Sequence, residues 1–196
     1  MLCYALEGGV FRTEGHSKPS LKASEPESNP PCTLASMTSI VRLENRPMTT
    51  QRHWLLVEQL ENWEVDLRDG FSQFGIPDRR VTLANQIARG DLLFSYVSSG
   101  ISKFADIREA TADGTRKLEM GGSYSTAFPW KVATRPYLTL KREAWVPIKG
   151  LLSALSLTSG KADWRQTLRN TLIRISAADA TLILQAMQEG DRRNNR

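Results

Sequence analysis

Residues 53–104 decide the fold, and they read HWLLVEQLENWEVDLRDGFSQFGIPDRRVTLANQIARGDLLFSYVSSGISKF. The first piece, residues 53–57, is short and apolar with an aromatic residue near its start, which is typical of a buried strand. Asn62 and Trp63 follow within a few residues. We therefore expect the strand to run directly into a helix.

The second half of this stretch predicts another helix and another strand. After a break at Gly75 and Pro77, apolar residues recur at helical spacing over 81–88, and Gly90 is placed to end that helix as a left-handed cap. Residues 92–97 are again short and apolar, and a Ser-Ser-Gly turn follows them. The predicted order is strand, helix, helix, strand.

Aromatic and small polar side chains fall at the ends of these elements. Loops held by a rigid sheet bring such side chains into one cleft. Flat rings beside hydroxyl and amide groups suit a flat ligand with polar edges, such as a nucleobase. The predicted pocket consists of the aromatic walls Trp63, Phe74 and Trp130 and the edge-reading residues Gln59, Asn62, Tyr96, Ser98 and Ser99. For each aromatic residue the alternative is ordinary core packing.

An ordered set of short motifs makes the chain similar to a known family. The motifs are Trp54-Leu-Leu-Val, Asn62-Trp63, Phe74-Gly-Ile-Pro77, Arg89-Gly-Asp91, Phe94-Ser-Tyr-Val97, Phe128-Pro-Trp-Lys-Val132, Trp164, and the closing run from Leu168-Arg169 to Ile175-Ser176. In this order they resemble the EVE domain family, a branch of the PUA-like folds that includes the YTH and ASCH domains. The resemblance covers roughly the last three quarters of the chain.

The resemblance implies both a fold and a function. It implies an α+β fold, a PUA-like twisted and partly closed mixed β-barrel flanked by helices. It also implies a non-catalytic module that reads a modified base in DNA or RNA. Phe74 departs from the family, because many relatives carry Trp before the Gly; the aromatic wall is kept but the indole donor is lost.

The rest of the chain predicts further strands and helices. Ala105 and Ile107 alternate with Asp106 and Arg108, which predicts a strand with one solvated face. Residues 129–140 alternate as a long strand with a basic outer edge, and residues 145–146 form a short one. The glycine-bearing segment 117–126 is the best candidate for a mobile loop over the cleft.

Three helices are expected to close the domain. Ile148, Leu151, Leu152 and Leu155 recur at helical spacing behind a proline. Asp163 with Gln166 and Ser176 with Asp179 are spaced as capping boxes that open two more helices, the first at Trp164.

Length and composition predict one domain, residues 48–196, behind a tail of residues 1–47. The tail is rich in Ser, Pro, Glu and Gly, so we expect it to be disordered. An alternative is that translation starts at Met48 and the tail is a mis-annotated extension. No apolar run approaches a membrane span and no secretory signal is evident, so we expect a cytoplasmic protein.

No metal or cofactor is expected. Cys3 and Cys32 are the only cysteines, and neither they nor His16 and His53 have metal-ligand spacing.

The chain has a net charge of +5, all of it within residues 48–196, because the tail carries five basic and five acidic residues. A basic domain is weak evidence for a polyanionic partner. The cations predicted to contact a nucleic-acid backbone are Arg79, Arg80, Lys103, Arg135, Arg165 and Arg169. Arg165 and Arg169 share a helix face, where two cations repel unless an anion meets them. The equal alternative is that Arg169 pairs with a buried carboxylate, Asp66 or Glu58.

Two other function classes remain open at this point. An ASCH-like amidohydrolase would act on a modified nucleoside, and Lys103 and Glu58 could be offered for its catalytic roles, although neither lies in a recognisable signature. A PUA-type module would bind RNA without regard to modification. No Ser/His/Asp order, phosphate-binding glycine loop or paired-histidine motif is present.

Overall fold

The computed structural model describes residues 51–98, 100–118 and 127–194. They all belong to one compact unit, Glu44–Arg196. The predictions for the tail, for Ser99 and for most of the segment 117–126 lie outside the described residues.

Eight strands among the described residues form a curled, mixed half-barrel sheet. They are β1 His53–Glu58, β2 Gln73–Ile76, β3 Leu92–Val97, β4 Lys103–Ala110, β5 Arg116–Lys117, β6 Trp130–Thr139, β7 Val146–Pro147 and β8 Leu172–Ile175. The order across the sheet is β2-β6-β4-β3-β1-β8, with β5 paired to β6 and β7 paired to β4. The predicted fold class is confirmed.

The parallel pair β1 and β3 lies at the centre of the fold. His53 is opposite Leu92 and Glu58 is opposite Val97, and the other pairings of the sheet are antiparallel. A parallel pair needs a crossover connection. Here the crossover contains α1 Leu60–Arg68, the strand β2 and the short helix α2 Val81–Ala84. Sequence analysis missed β2 because its Gly75 was interpreted as a break, and it made the second helix four residues too long.

The sheet is covered on both faces. Along β1, Leu55 belongs to a large apolar cluster with Phe94, Ile107 and Ile183, while Trp54 belongs to a second cluster on the other side. The prediction of a solvated face on β4 is therefore wrong. Asp106 and Arg108 are both 0% exposed, because a curled sheet covers the face that strand alternation alone would assign to solvent.

Helical capping is only partly as predicted. The final helix α4 Ala177–Asn194 begins where expected, and the Asp179 amide donates to Ser176 Oγ. The helix α3 Trp164–Thr167 is a single turn whose Asp163 makes no side-chain cap. Residues 148–155 begin as the 3-10 turn Ile148–Gly150 and continue as turns, so the predicted α-helix there is wrong. None of the helices in the described ranges is long and apolar enough to cross a membrane.

Candidate functional site

A cavity of about 900 Å³ opens at the end of β1, where the chain passes into α1. Its walls also include β2, the end of β3 and the short helix α3. Cavities of about 300 to 1,000 Å³ are typical of small-molecule sites, and they occur where loops follow the ends of strands. The cavity therefore lies where the sequence predicted a cleft.

Three aromatic residues from three different elements line the cavity. Phe74 of β2 is 4% exposed and Tyr96 of β3 is 3% exposed. Trp164 of α3 is half-buried. The Arg165 guanidinium lies 4.7 Å from the centre of the Trp164 ring, a favourable cation–π contact. Half-buried Phe128 completes the apolar lining.

Polar groups converge on the same space. Gln59 and Asn62 are exposed side chains at the start of α1, and Ser98 and Ser102 follow β3. The Ser98 hydroxyl donates to the Glu58 carbonyl oxygen at 2.9 Å, which holds the turn after β3 against the end of β1. A ligand in the cavity would therefore meet both amide and hydroxyl groups.

Three exposed arginines, Arg79, Arg165 and Arg169, also line the cavity; we call them the cavity rim. None of them forms an ion pair with a residue that the structure describes. Guanidinium groups bind phosphate oxygens through paired hydrogen bonds. The rim therefore presents cationic donors to an anionic ligand.

Glu58, Asp66, Asp106 and Arg108 form a buried ion cluster beside the cavity. Arg108 donates from Nε to Asp106 at 2.8 Å, from one terminal nitrogen to Asp66 at 2.5 Å and from the other to Glu58 Oε1 at 3.0 Å. Burial alone would lower the pKa of Arg108, but the three carboxyl groups raise it, so the guanidinium stays charged. The Arg108 Cζ atom lies 4.5 Å from the centre of the Phe71 ring.

Two members of this cluster, Glu58 and Asp66, also line the cavity. Burial, together with the nearby Asp106 and Asp66, raises the pKa of Glu58 to about 8, and Arg108 and the Ser95 hydroxyl oppose the shift. The register between β3 and β4 shifts after Ser95, which is paired with Asp106. Such bulges reorient side chains next to functional sites.

The structure corrects the assignment of Trp63 as a pocket wall. Its ring is 5% exposed and packs edge-on against Trp145 at 4.8 Å, and the residue does not line the cavity. Its indole nitrogen donates to Asp106 Oδ2 at 2.5 Å. Trp63 is therefore a core residue whose polar atom is bound to the buried ion cluster.

Several other predicted residues also lie outside the cavity lining. Trp130 of β6 donates to Asp78 at 2.7 Å instead, Arg135 pairs with Glu109 at 2.8 Å, and Arg80 donates to Asn170. Lys103 begins β4 and is half-buried. The cavity brings together the predicted residues Gln59, Asn62, Phe74, Tyr96, Ser98, Arg79, Arg165 and Arg169.

The alternative prediction, that Arg169 pairs with the buried Asp66 or Glu58, is wrong. A buried arginine does hold Asp66 and Glu58, but that arginine is Arg108, whereas Arg169 is exposed. Sequence analysis also missed Trp164 as a wall, although its neighbours Arg165 and Arg169 were singled out. The signal that could have identified Arg108 is its position two residues after Asp106 within an apolar central strand.

Comparison with solved structures defines the fold class. The YTH domain of Zygosaccharomyces rouxii MRB1, in complex with N6-methyladenosine RNA, matches with a TM-score of 0.52 at 12% identity and covers 71% of this chain and 88% of that one. Rpa0253 from Rhodopseudomonas palustris matches with a TM-score of 0.50 at 14% identity and covers 70% and 94%. The chain therefore has a PUA-like fold.

A sequence relative defines the family more closely. UPF0310 protein msl3206 of Mesorhizobium japonicum is 30% identical over 148 residues, which cover 69% of this chain and 91% of that protein. The chain belongs to the UPF0310 family. No family model matches it. The EVE resemblance is consistent with these findings and remains a prediction at that finer level.

Proposed function

We propose that this protein is a non-catalytic nucleic-acid-binding module that holds one modified base, flipped or single-stranded, in the cavity. The observation that carries the proposal is the convergence of Phe74, Tyr96 and Trp164 on one space bordered by three arginines that pair with no described carboxylate. Aromatic rings stack on any base, and cations hold the adjoining phosphates.

The aromatic lining accounts for affinity toward an extruded base. Stacking contributes about 1 to 3 kcal/mol per base. An added methyl group contributes about 1 kcal/mol or less through burial, so selectivity for a modification requires the cavity to enclose that group. Gln59 and Asn62 supply amide groups that read the base edge. A base already outside a duplex avoids an unstacking cost of a few kcal/mol.

The comparison with the YTH domain supports the same type of ligand. That domain, which shares the fold, was solved with N6-methyladenosine RNA. This fact concerns the relative, so we transfer only the class of partner, a nucleic-acid strand with a modified base. Single-stranded RNA is the first candidate, and single-stranded DNA is the second.

The lining also supports the non-catalytic assignment. Among the described residues that line the cavity there is no lysine, histidine or cysteine. Of the two residues offered for an amidohydrolase, Glu58 lines the cavity and Lys103 does not. A hydrolytic mechanism needs a nucleophile with its base within hydrogen-bond reach. The Ser98 hydroxyl in the described lining donates to the Glu58 carbonyl oxygen and not to a carboxylate.

Titration with oligonucleotides tests the proposal. Single-stranded RNA and DNA nonamers with one central base, unmodified or bearing N6-methyladenine, 5-methylcytosine or 5-hydroxymethylcytosine, are titrated at one fixed salt concentration. We expect at least one modified strand to bind more tightly than its unmodified match. Affinity that depends only on salt and strand length would contradict the proposal in favour of a plain basic surface. Release of ammonia or acid from a modified nucleoside would show an enzyme instead.

A further inference from the structure

The buried ion cluster contains more acidic groups than its one cation can balance. Glu58, Asp66 and Asp106 surround Arg108, and none of the four residues is more than 5% exposed. Full ionisation would leave two negative charges in a region of low dielectric, which is costly. One proton on one carboxyl group removes half of this excess.

Hydrogen-bond donors are shared unequally between the carboxyl groups of Asp106 and Glu58. Asp106 accepts from Arg108 Nε at 2.8 Å, from the Ser95 hydroxyl at 3.1 Å and from the Trp63 indole at 2.5 Å. Donors on both oxygens stabilise a carboxylate. Glu58 accepts from Arg108 on Oε1 at 3.0 Å, and the Ser95 hydroxyl that donates to Asp106 also lies near its carboxyl group. Its buried Oε2 has no partner with hydrogen-bond geometry among the described residues. The proton therefore favours Glu58 over Asp106.

Glu58 also differs from Asp106 in its position relative to the cavity. Glu58 lines the cavity and Asp106 does not. A buried oxygen without a partner costs free energy unless a ligand supplies one. A carboxylic acid at this position is a hydrogen-bond donor, whereas a carboxylate is only an acceptor.

We propose that Glu58 is a specificity-determining residue that, in its neutral form, donates a hydrogen bond from Oε2 to an unprotonated ring nitrogen of the bound base. This inference rests on the proposed function of the cavity. It selects bases of the adenine and cytosine type, whose pairing edge carries such an acceptor. Guanine and uracil carry an N–H group at that position of the ring, so two hydrogen-bond donors would face each other.

Charged and polar groups face Glu58 from several elements of the fold. Arg108 and Asp106 face it from β4, Asp66 faces it from α1, and the Ser95 hydroxyl lies on β3. Burial raises the pKa of Tyr96 above its ordinary value of 10, so its phenol stays neutral. The pKa of about 8 for Glu58 agrees with a neutral carboxyl group at pH 7.

Two measurements on the full chain test the inference. The first follows the Glu58 side-chain carboxyl carbon by NMR across a pH titration of the free protein, with Glu58→Gln assigning the signal and Glu61→Gln, an exposed acid on α1, as control. We expect a midpoint near 8 for Glu58. A midpoint near its ordinary 4.5 would overturn the inference without touching the proposed function.

The second measurement is binding, probed with a single-stranded RNA nonamer that carries one N6-methyladenine. Between about pH 6.5 and about pH 9 the neutral fraction of Glu58 falls about tenfold, so wild-type affinity should fall by about the same factor. Glu58→Gln keeps a neutral donor, so its affinity should not change with pH. Replacing the base by its 1-deaza analogue, which lacks the ring acceptor, should remove the pH dependence.

These outcomes separate the two proposals. Selective binding with no pH dependence in the wild type, or with the same dependence in Glu58→Gln, overturns the donor role while the reader function stands. Binding of the methylated and unmodified strands with equal affinity by both proteins contradicts the reader function for this probe, and the donor role with it.

Discussion

The region around Trp63 and the region around Trp164 each combine a tryptophan with an arginine, but the first is buried and the second lies at the cavity. In the first, the Trp63 indole donates to Asp106, Asp106 binds Arg108, and all three are buried. In the second, Trp164 is half-buried under the guanidinium of Arg165, which has no carboxylate partner among the described residues.

The difference lies in whether the polar groups are satisfied within the chain. A tryptophan and an arginine that have found their partners stabilise the fold, because leaving them unpaired in the core would be costly. A tryptophan and an arginine at an opening keep their ring face and their donors available to a ligand. Substitutions in the first region should therefore affect unfolding, and substitutions in the second should affect binding.

The largest effect is expected for Arg108→Met. The change leaves Glu58, Asp66 and Asp106 buried without their cation, which should destabilise the protein by about 3 to 5 kcal/mol. Arg169→Met is the matched control, and we expect it to alter stability by about 0.5 kcal/mol or less. Urea unfolding monitored by circular dichroism measures both. Equal losses would contradict the division into two regions.

Trp63→Ala should cost nearly as much, about 3 to 5 kcal/mol, since it opens a space in the core and leaves Asp106 without one donor. Trp164→Ala removes a half-buried ring from the cavity and should cost about 1 kcal/mol or less. Thermal unfolding of the two variants gives the comparison. A Trp164→Ala protein that unfolds as readily as Trp63→Ala would place Trp164 in the core.

Glu58→Gln should flatten the pH dependence of stability. A pKa raised from 4.5 to about 8 means that the folded protein binds a proton that the unfolded chain releases in this interval. Stability is therefore highest below about pH 4.5 for this group, and it declines as pH rises through about 8, by up to about 1.4 kcal/mol per pH unit. We expect the variant to be more stable than the wild type at about pH 9. A wild type whose stability rises over this interval would show that other groups dominate.

The smallest effect is expected at the cavity rim. Arg165→Gln or Arg169→Gln should weaken binding of modified and unmodified strands alike and reduce the slope of log affinity against log salt by about 0.7 each. Arg135→Gln, which removes an exposed arginine outside the cavity lining, serves as the control. An equal reduction with Arg135→Gln would indicate that the strand runs along β6 as well.

Sequence reasoning predicted the strands β1 and β3, although not their parallel pairing, because strands buried on both faces are short, apolar and bounded by turns. It missed β2, since Gly75 and Pro77 signal a turn more strongly than four residues signal a strand. It predicted a helix over residues 148–155 from apolar spacing that the structure satisfies with turns. The spacing of apolar residues does not distinguish a helix from a series of turns when tertiary packing determines the local structure.

The candidate site shows the same limit. Tyr96 lines the cavity as predicted, because it lies near the end of the central strand β3. Phe74 also lines it, although it lies within the edge strand β2 and not at the end of an element. Trp63 was placed there by the same rule, but helical α1 turns its ring toward the core. Arg108 was assigned to solvent because strand alternation does not reveal that a curled sheet covers both faces. Trp164 could not be placed, since its one-turn helix has no periodic signal.

The most direct test of the cavity is the ratio of affinities for a modified and an unmodified strand in the variant Trp164→Ala. With the best modified nonamer as probe, we expect the loss of stacking to weaken binding of the modified strand by about 5- to 150-fold and to bring the ratio close to one. Trp130→Ala, another half-buried tryptophan but one that lies outside the cavity lining, should keep the wild-type ratio. Selectivity that survives in Trp164→Ala and disappears in Trp130→Ala would contradict the account.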